Sequence, residues 1–159
     1  MTDWQWVMDD LFKADANLTA LEAAAGQVKS TLGLAEDFTY NITISINYPH
    51  KNATDFGDVD GDGISEDLSV YANRVKVCKW FIDEVNERFQ DAGFKNIELV
   101  GYYWWHEQID KLSDPDSVQL IKDTADYIHS IGYQFTWIPY FKSSGYDTWA
   151  ELGFDVACM

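Results

Sequence analysis

NIELVGYYWWHEQID, residues 96–110, decides how the chain is read. Ile97, Leu99, Val100, Tyr102, Tyr103, Trp104 and Trp105 form a nearly unbroken apolar run. A strand covered on both faces, as in a parallel sheet flanked by helices, carries such a run. A core helix can carry one too. The β-branched and aromatic content and the short length favour the strand. His106, Glu107 and Asp110 follow at once. Ionisable groups just past the C-terminal end of a buried parallel strand are where α/β enzymes place their chemistry.

The segments on either side fit the same scheme. Upstream, apolar residues at helical spacing over 3–14 and a Thr19/Glu22 capping box predict two helices. The second helix carries Leu21, Ala24, Ala25, Val28 and Leu32 on one face and stops at Gly33. Residues 38–48, FTYNITISINY, alternate as a strand, and a long helix is expected over about residues 71–92. Downstream, Asp114-Pro115 reads as a helix start, with Asp as N-cap and Pro at the first helical position. Residues 133–140 read as the next strand, a short helix is expected near 147–152, and FDVACM reads as a last strand.

Gly33, Gly93, Gly132 and Gly153 each stand between a predicted helix and an apolar residue that opens the next segment. Glycine supplies the left-handed cap, and the apolar residue turns the chain back into the core. Repeated helix–Gly–strand units imply parallel strands covered by helices, with the long loops on the opposite rim. The expected class is therefore α/β, one domain over residues 1–159 built of parallel βα units. About four strands are expected, too few for a closed (β/α)8 TIM barrel of roughly 250 residues. An incomplete barrel, as an internal segment of a larger domain, is the primary expectation. A small open α/β sheet is the alternative.

The net charge of −16 argues against nucleic acid and anionic membrane surfaces, whose phosphates need clustered Lys and Arg. No stretch is long and apolar enough to span a membrane. Cys78 and Cys158 form no disulfide framework or metal motif, and both are expected to be buried small apolar groups.

YYWWHE, LIKDTADYIHSIGYQFTWIPYF and GYDTWAELGFD resemble a bacterial family of uncharacterised proteins built on a domain of unknown function. The DWQW segment, the NYP strand end and the FGDVDGDG loop look like the same family, so the resemblance spans nearly the whole chain. It implies a (β/α) barrel of glycoside-hydrolase type, longer at both ends than this chain. It also implies an exported protein that meets polysaccharides.

A glycosidase needs two carboxylates flanking the scissile bond, one of them a proton donor. Glu107 is the candidate acid/base or nucleophile, with Trp104 and Trp105 placed to desolvate it. Strand alternation sets His106 on the opposite side from Glu107 and makes it a structural residue. Trp105, Tyr48, His50 and Tyr140 are candidate ligand contacts at the loop-rich rim, whereas Asp155 begins its strand and is assigned a structural role. DVDGDG places Asp58, Asp60 and Asp62 at positions 1, 3 and 5 of a calcium loop, with Gly63 at position 6. Ser69 stands where the bidentate Glu belongs, so Glu66 or Asp67 would have to substitute. Two functions follow as expectations. One is a glycoside hydrolase acting through Glu107. The other is a non-catalytic carbohydrate-binding or calcium-stabilised module using the same aromatic rim.

Overall fold

A computed structural model describes residues 1–109 and 111–158. Four parallel strands form one sheet in the order β1-β2-β3-β4, numbered along the chain: Tyr40–Ile46, Ile97–Trp104, Gln134–Trp137 and Val156–Ala157. Four α-helices accompany them: α1 (Thr2–Leu11), α2 (Asn17–Leu32), α3 (Tyr71–Ala92) and α4 (Ser117–Ser130). A 3-10 turn, Trp149–Leu152, precedes β4. Parallel strands in unbroken sequential order, joined by right-handed crossovers, keep the linking helices on one face of the sheet.

That face is the core. Ile46, Trp104 and Trp137 are register partners across β1, β2 and β3, and all three are fully buried. Ile44, Tyr102 and Phe135 form the next row. The Tyr102 hydroxyl donates to the Ile82 carbonyl of α3 at 3.1 Å, which identifies the helix side. Val77, Cys78, Phe81, Ile82 and Val85 of α3 and Leu120, Ile121, Ala125 and Ile128 of α4 complete the layer. The opposite face carries Ser45, Tyr103, Thr136 and Val156 as one row across all four strands, and none of these is buried.

The register of β1 on β2 shifts once. Ile42 pairs with Leu99, but Thr43 pairs with Gly101, so Val100 is an extra residue. A bulge of one residue reverses the alternation beyond it. Ile97 and Leu99 face the helices before the bulge, and Tyr102 and Trp104 face them after it. The apolar run is thus continuous because it fills one face twice, out of phase. Gly101 follows the bulge where β3 comes close: a Cβ there would lie 2.2 Å from the Gln134 carbonyl oxygen.

Several sequence expectations need correction. Gly33 and Gly93 do take left-handed conformations at helix ends, at φ 61° each. However, α2 begins at Asn17, and Thr19 caps it by accepting the Ala16 N–H at 3.2 Å. Glu22 instead accepts the backbone N–H groups of Lys95, Asn96 and Ile97, tying α2 to the start of β2. Leu21, Val28 and Leu32 of α2 are exposed, because Leu18 and Ala25 are the side chains it buries. Asp114 is not a helix cap; α4 starts three residues later at Ser117, and Asp114 is engaged elsewhere. Cys78 is buried, and burial pushes its thiol up to about 12, but Cys158 is exposed. Asp110 and Met159 lie outside the described residues. No described helix is long and apolar enough to cross a membrane.

Candidate functional site

All βα connections open on the C-terminal rim of the sheet, and the sequence-derived candidates sit there in two groups. The first group faces the uncovered side. Beyond the bulge Tyr103 lies on this side, and the Trp105 N–H extends the ladder to the Ile46 carbonyl at 3.2 Å; Glu107 follows the strand, near enough for its charge to act on Tyr103. The Tyr103 and Trp105 rings meet edge to face at 6.0 Å. Burial raises the Tyr103 hydroxyl pKa, and the nearby Glu107 charge raises it further. Tyr140 joins this group through its N–H, which donates to the Glu107 carbonyl at 2.9 Å. The dry tryptophan wall expected around Glu107 is not formed by both rings. Trp104 lies on the helix side, Trp105 is 59% exposed, and Glu107 itself is exposed.

The second group lies on the helix side of the same rim. Tyr48 packs edge to face on Trp104 at 5.7 Å and stacks on His106 at 4.4 Å and 28°. His50 approaches Tyr48 at 5.0 Å and His106 at 6.3 Å. Strand parity thus separates His106 from Glu107, yet it brings His106 to a cleft with Tyr48 and His50. That cleft also holds Lys51, Asn52, Gln108 and Asp114.

Beneath this cleft lies a buried ionic network that the sequence did not disclose. Arg74, on the first turns of α3 and only 1% exposed, grips Asp114 with two nitrogens at 2.5 and 3.1 Å. It also donates to the Tyr48 hydroxyl at 2.8 Å and to the Pro49 carbonyl at 2.9 Å. The Tyr48 hydroxyl donates to Asp114. Burial would raise Asp114, but the hydrogen bonds from Arg74 and Tyr48 outweigh it and hold its pKa below the usual carboxylate value. Burial, then the bond to Asp114, drives the Tyr48 hydroxyl well above its ordinary value, so it stays protonated at neutral pH. The signal available was weak: an Arg at a buried helical phase and an Asp that mimics a helix cap.

The acidic loop is only partly a metal site. Asp58, Asp60 and Glu66 bring ligand oxygens within 4.8 Å of one another. Asp62 is not among them; it accepts the Ile64 N–H at 2.8 Å in a tight local turn. Asp58 accepts the N–H groups of Gly61 and Gly63, and Glu66 accepts that of Val59. The Lys76 ammonium bridges Asp60 at 2.6 Å and Glu66 at 3.0 Å. The hydrogen bonds to Asp60 and Glu66 raise the Lys76 pKa. The donor set offers carboxylates of the type a calcium ion takes, but a lysine already supplies positive charge there.

Asp155 takes the structural role expected of it, accepting the Phe135 N–H at 2.7 Å and meeting His129 at 2.9 Å. The sequence pattern of a domain of unknown function, DUF4855, matches residues 1–159, the whole chain. The chain belongs to the DUF4855 family. Neither the curated proteins nor the solved structures contain a significant match to it. For this DUF4855 domain, side-chain geometry is therefore the guide to chemistry. Its rim offers two chemically different surfaces: a carboxylate among exposed rings, and a cleft of imidazoles and amides over a neutralised ion pair.

Proposed function

We propose that this DUF4855 chain contributes to a (β/α)8 barrel of glycoside-hydrolase type acting on polysaccharide outside the cell, with Glu107 as acid/base or nucleophile. The observation that carries this reading is the placement of Glu107. It follows β2 at the loop-bearing rim of a sequentially ordered parallel sheet, beside Tyr103 of the uncovered face. In such barrels the equivalent face is the interior and this rim is the catalytic one. The row of Ser45, Tyr103 and Thr136 on that face is polar enough to meet sugar hydroxyls.

Glu107→Gln tests the reading, with release of reducing sugar and polysaccharide binding measured on the same preparation. The variant keeps size and hydrogen bonding but moves no proton. Turnover should fall by about 10²-fold or more while binding persists. Unaltered turnover removes Glu107 from the mechanism.

A second reading, carbohydrate binding without hydrolysis, is favoured by a separate observation. Trp105, Tyr140, Phe141 and Tyr146 are all exposed at or near the same rim. Aromatic rings pair an apolar face with a polar edge and so suit the faces of sugar rings. Wild-type protein that binds polysaccharide and releases no reducing sugar would establish this reading over the first.

A further inference from the structure

We propose that the cleft between the ends of β1 and β2 is a subsite for a carboxylate carried on a sugar, that is, for a uronic-acid unit. The sugar part of this inference rests on the carbohydrate reading above; the carboxylate part rests on the cleft alone. The cleft is lined by Tyr48, His50, Lys51, Asn52, His106 and Gln108, with a volume of about 210 Å³. This is below the roughly 300–1,000 Å³ of pockets for drug-sized ligands, and it suits one small polar unit.

The lining is rich in donors in a chain that is otherwise strongly acidic. Two of the three histidines of the chain meet here, in a protein with 27 acidic and 11 basic side chains. Lysine and the two primary amides add N–H groups. Asp114 is the one carboxylate among the described lining residues, and both its oxygens are turned to Arg74 and Tyr48. Its charge is cancelled within the protein and does not repel an anion. Among the described lining residues Lys51 then supplies an ammonium that the Arg74–Asp114 pair does not neutralise.

The arrangement selects among anions. Phosphate and sulfate are commonly held by Arg forks or by helix N-termini. The Arg74 guanidinium is already committed to Asp114, Tyr48 and the Pro49 carbonyl. A monoanion matched to one ammonium and flanking amide and imidazole N–H groups fits better. Among the described residues the group of three that could share an ion is Asp58, Asp60 and Glu66, which includes neither histidine. Lys51 is held in position by donating to the Ser113 carbonyl, which bridges the loops after β1 and β2. Tyr48 and His106 are stacked on each other at 4.4 Å, so aromatic surface lines the cleft beside these donors.

The test is chemical-shift mapping and titration of the whole chain by NMR. The probes are D-galacturonate and D-glucuronate, their neutral parents D-galactose and D-glucose, and inorganic sulfate and phosphate. Uronates should bind about ten-fold or more tightly than the neutral hexoses, with shifts centred on His50, His106 and Gln108. Lys51→Gln should weaken uronate binding by about ten-fold or more, the scale of one charged hydrogen bond, and Lys51→Arg should retain it. Equal binding of neutral hexoses, tighter binding of sulfate or phosphate, or an unchanged uronate affinity in Lys51→Gln overturns the proposal. Lysine-dependent uronate binding in a protein that hydrolyses nothing upholds the cleft and defeats the catalytic reading of Glu107. Glutamate-dependent hydrolysis with no uronate preference does the reverse.

Discussion

Replacing Asp114 by Ala should be among the most damaging single changes in this chain. Its carboxylate accepts bonds from two Arg74 nitrogens and from Tyr48, with the Asp116 N–H at 3.3 Å as a further contact. The substitution leaves a guanidinium that is 1% exposed without its counter-charge. Breaking one side of a buried pair costs about 3–5 kcal/mol. For a domain of this size each kcal/mol moves Tm by roughly 2–4 °C, so a fall of about 6–20 °C is expected. Urea unfolding followed by tryptophan fluorescence should show a lower midpoint with an unchanged slope. Arg74→Met should cost a similar amount. The Arg74→Met/Asp114→Ala double variant should cost much less than the two losses added, because neither charge is then stranded. The pH dependence has a definite sign. Asp114 has a depressed pKa in the folded state, so its contribution is present above the unfolded-state value near 4. It disappears as pH falls through the lower folded value. The wild type should therefore lose stability on acidification more steeply than Asp114→Ala. A loss under about 1 kcal/mol for Asp114→Ala, or strictly additive losses in the cycle, would refute the reasoning.

Gly101→Ala should prevent β2 and β3 from pairing normally, since the new methyl would collide with backbone at Gln134; loss of soluble protein or of the cooperative transition is the readout. Glu22→Gln should cost about 1–3 kcal/mol in urea unfolding, because one amide oxygen cannot replace a carboxylate accepting three backbone N–H groups. Burial opposes the Glu22 charge, yet those bonds lower its pKa, so its contribution too is lost on acidification. Calcium or chelator should leave the wild-type Tm unchanged, since Lys76 already bridges Asp60 and Glu66, whereas Lys76→Met should acquire a Tm that rises with calcium.

Much of the fold is visible in local patterns, because those patterns are enforced locally. The helix Tyr71–Ala92 ends where its glycine predicts, and the apolar run does become the central strand β2. What could not be read depends on partners far away in sequence. Arg74 and Asp114 are separated by 40 positions, and each has a plausible local role as a surface helix residue or a cap. Lys76 meets the acidic loop only because α3 runs beside it. His106 was assigned to structure on parity alone, and parity was right about its side but silent about Tyr48 and His50 meeting it there. The register shift at Val100 has no local signature either, since it is defined by which β1 residue lies opposite.

That extra residue makes the length of β2 a chemical variable. Loss of the single codon for Val100 would leave every loop and every rim residue untouched, yet it would exchange the two surfaces of the rim. Trp104 and His106 would rotate out of the helix layer, while Tyr103, Trp105 and Glu107 would turn into it. The indole of Trp104, now fully buried, would report the exchange by red-shifted, quencher-accessible fluorescence. A lineage carrying such a deletion would present imidazole where this chain presents carboxylate, and so would reach a different reactivity by changing phase rather than by substituting any residue at the rim.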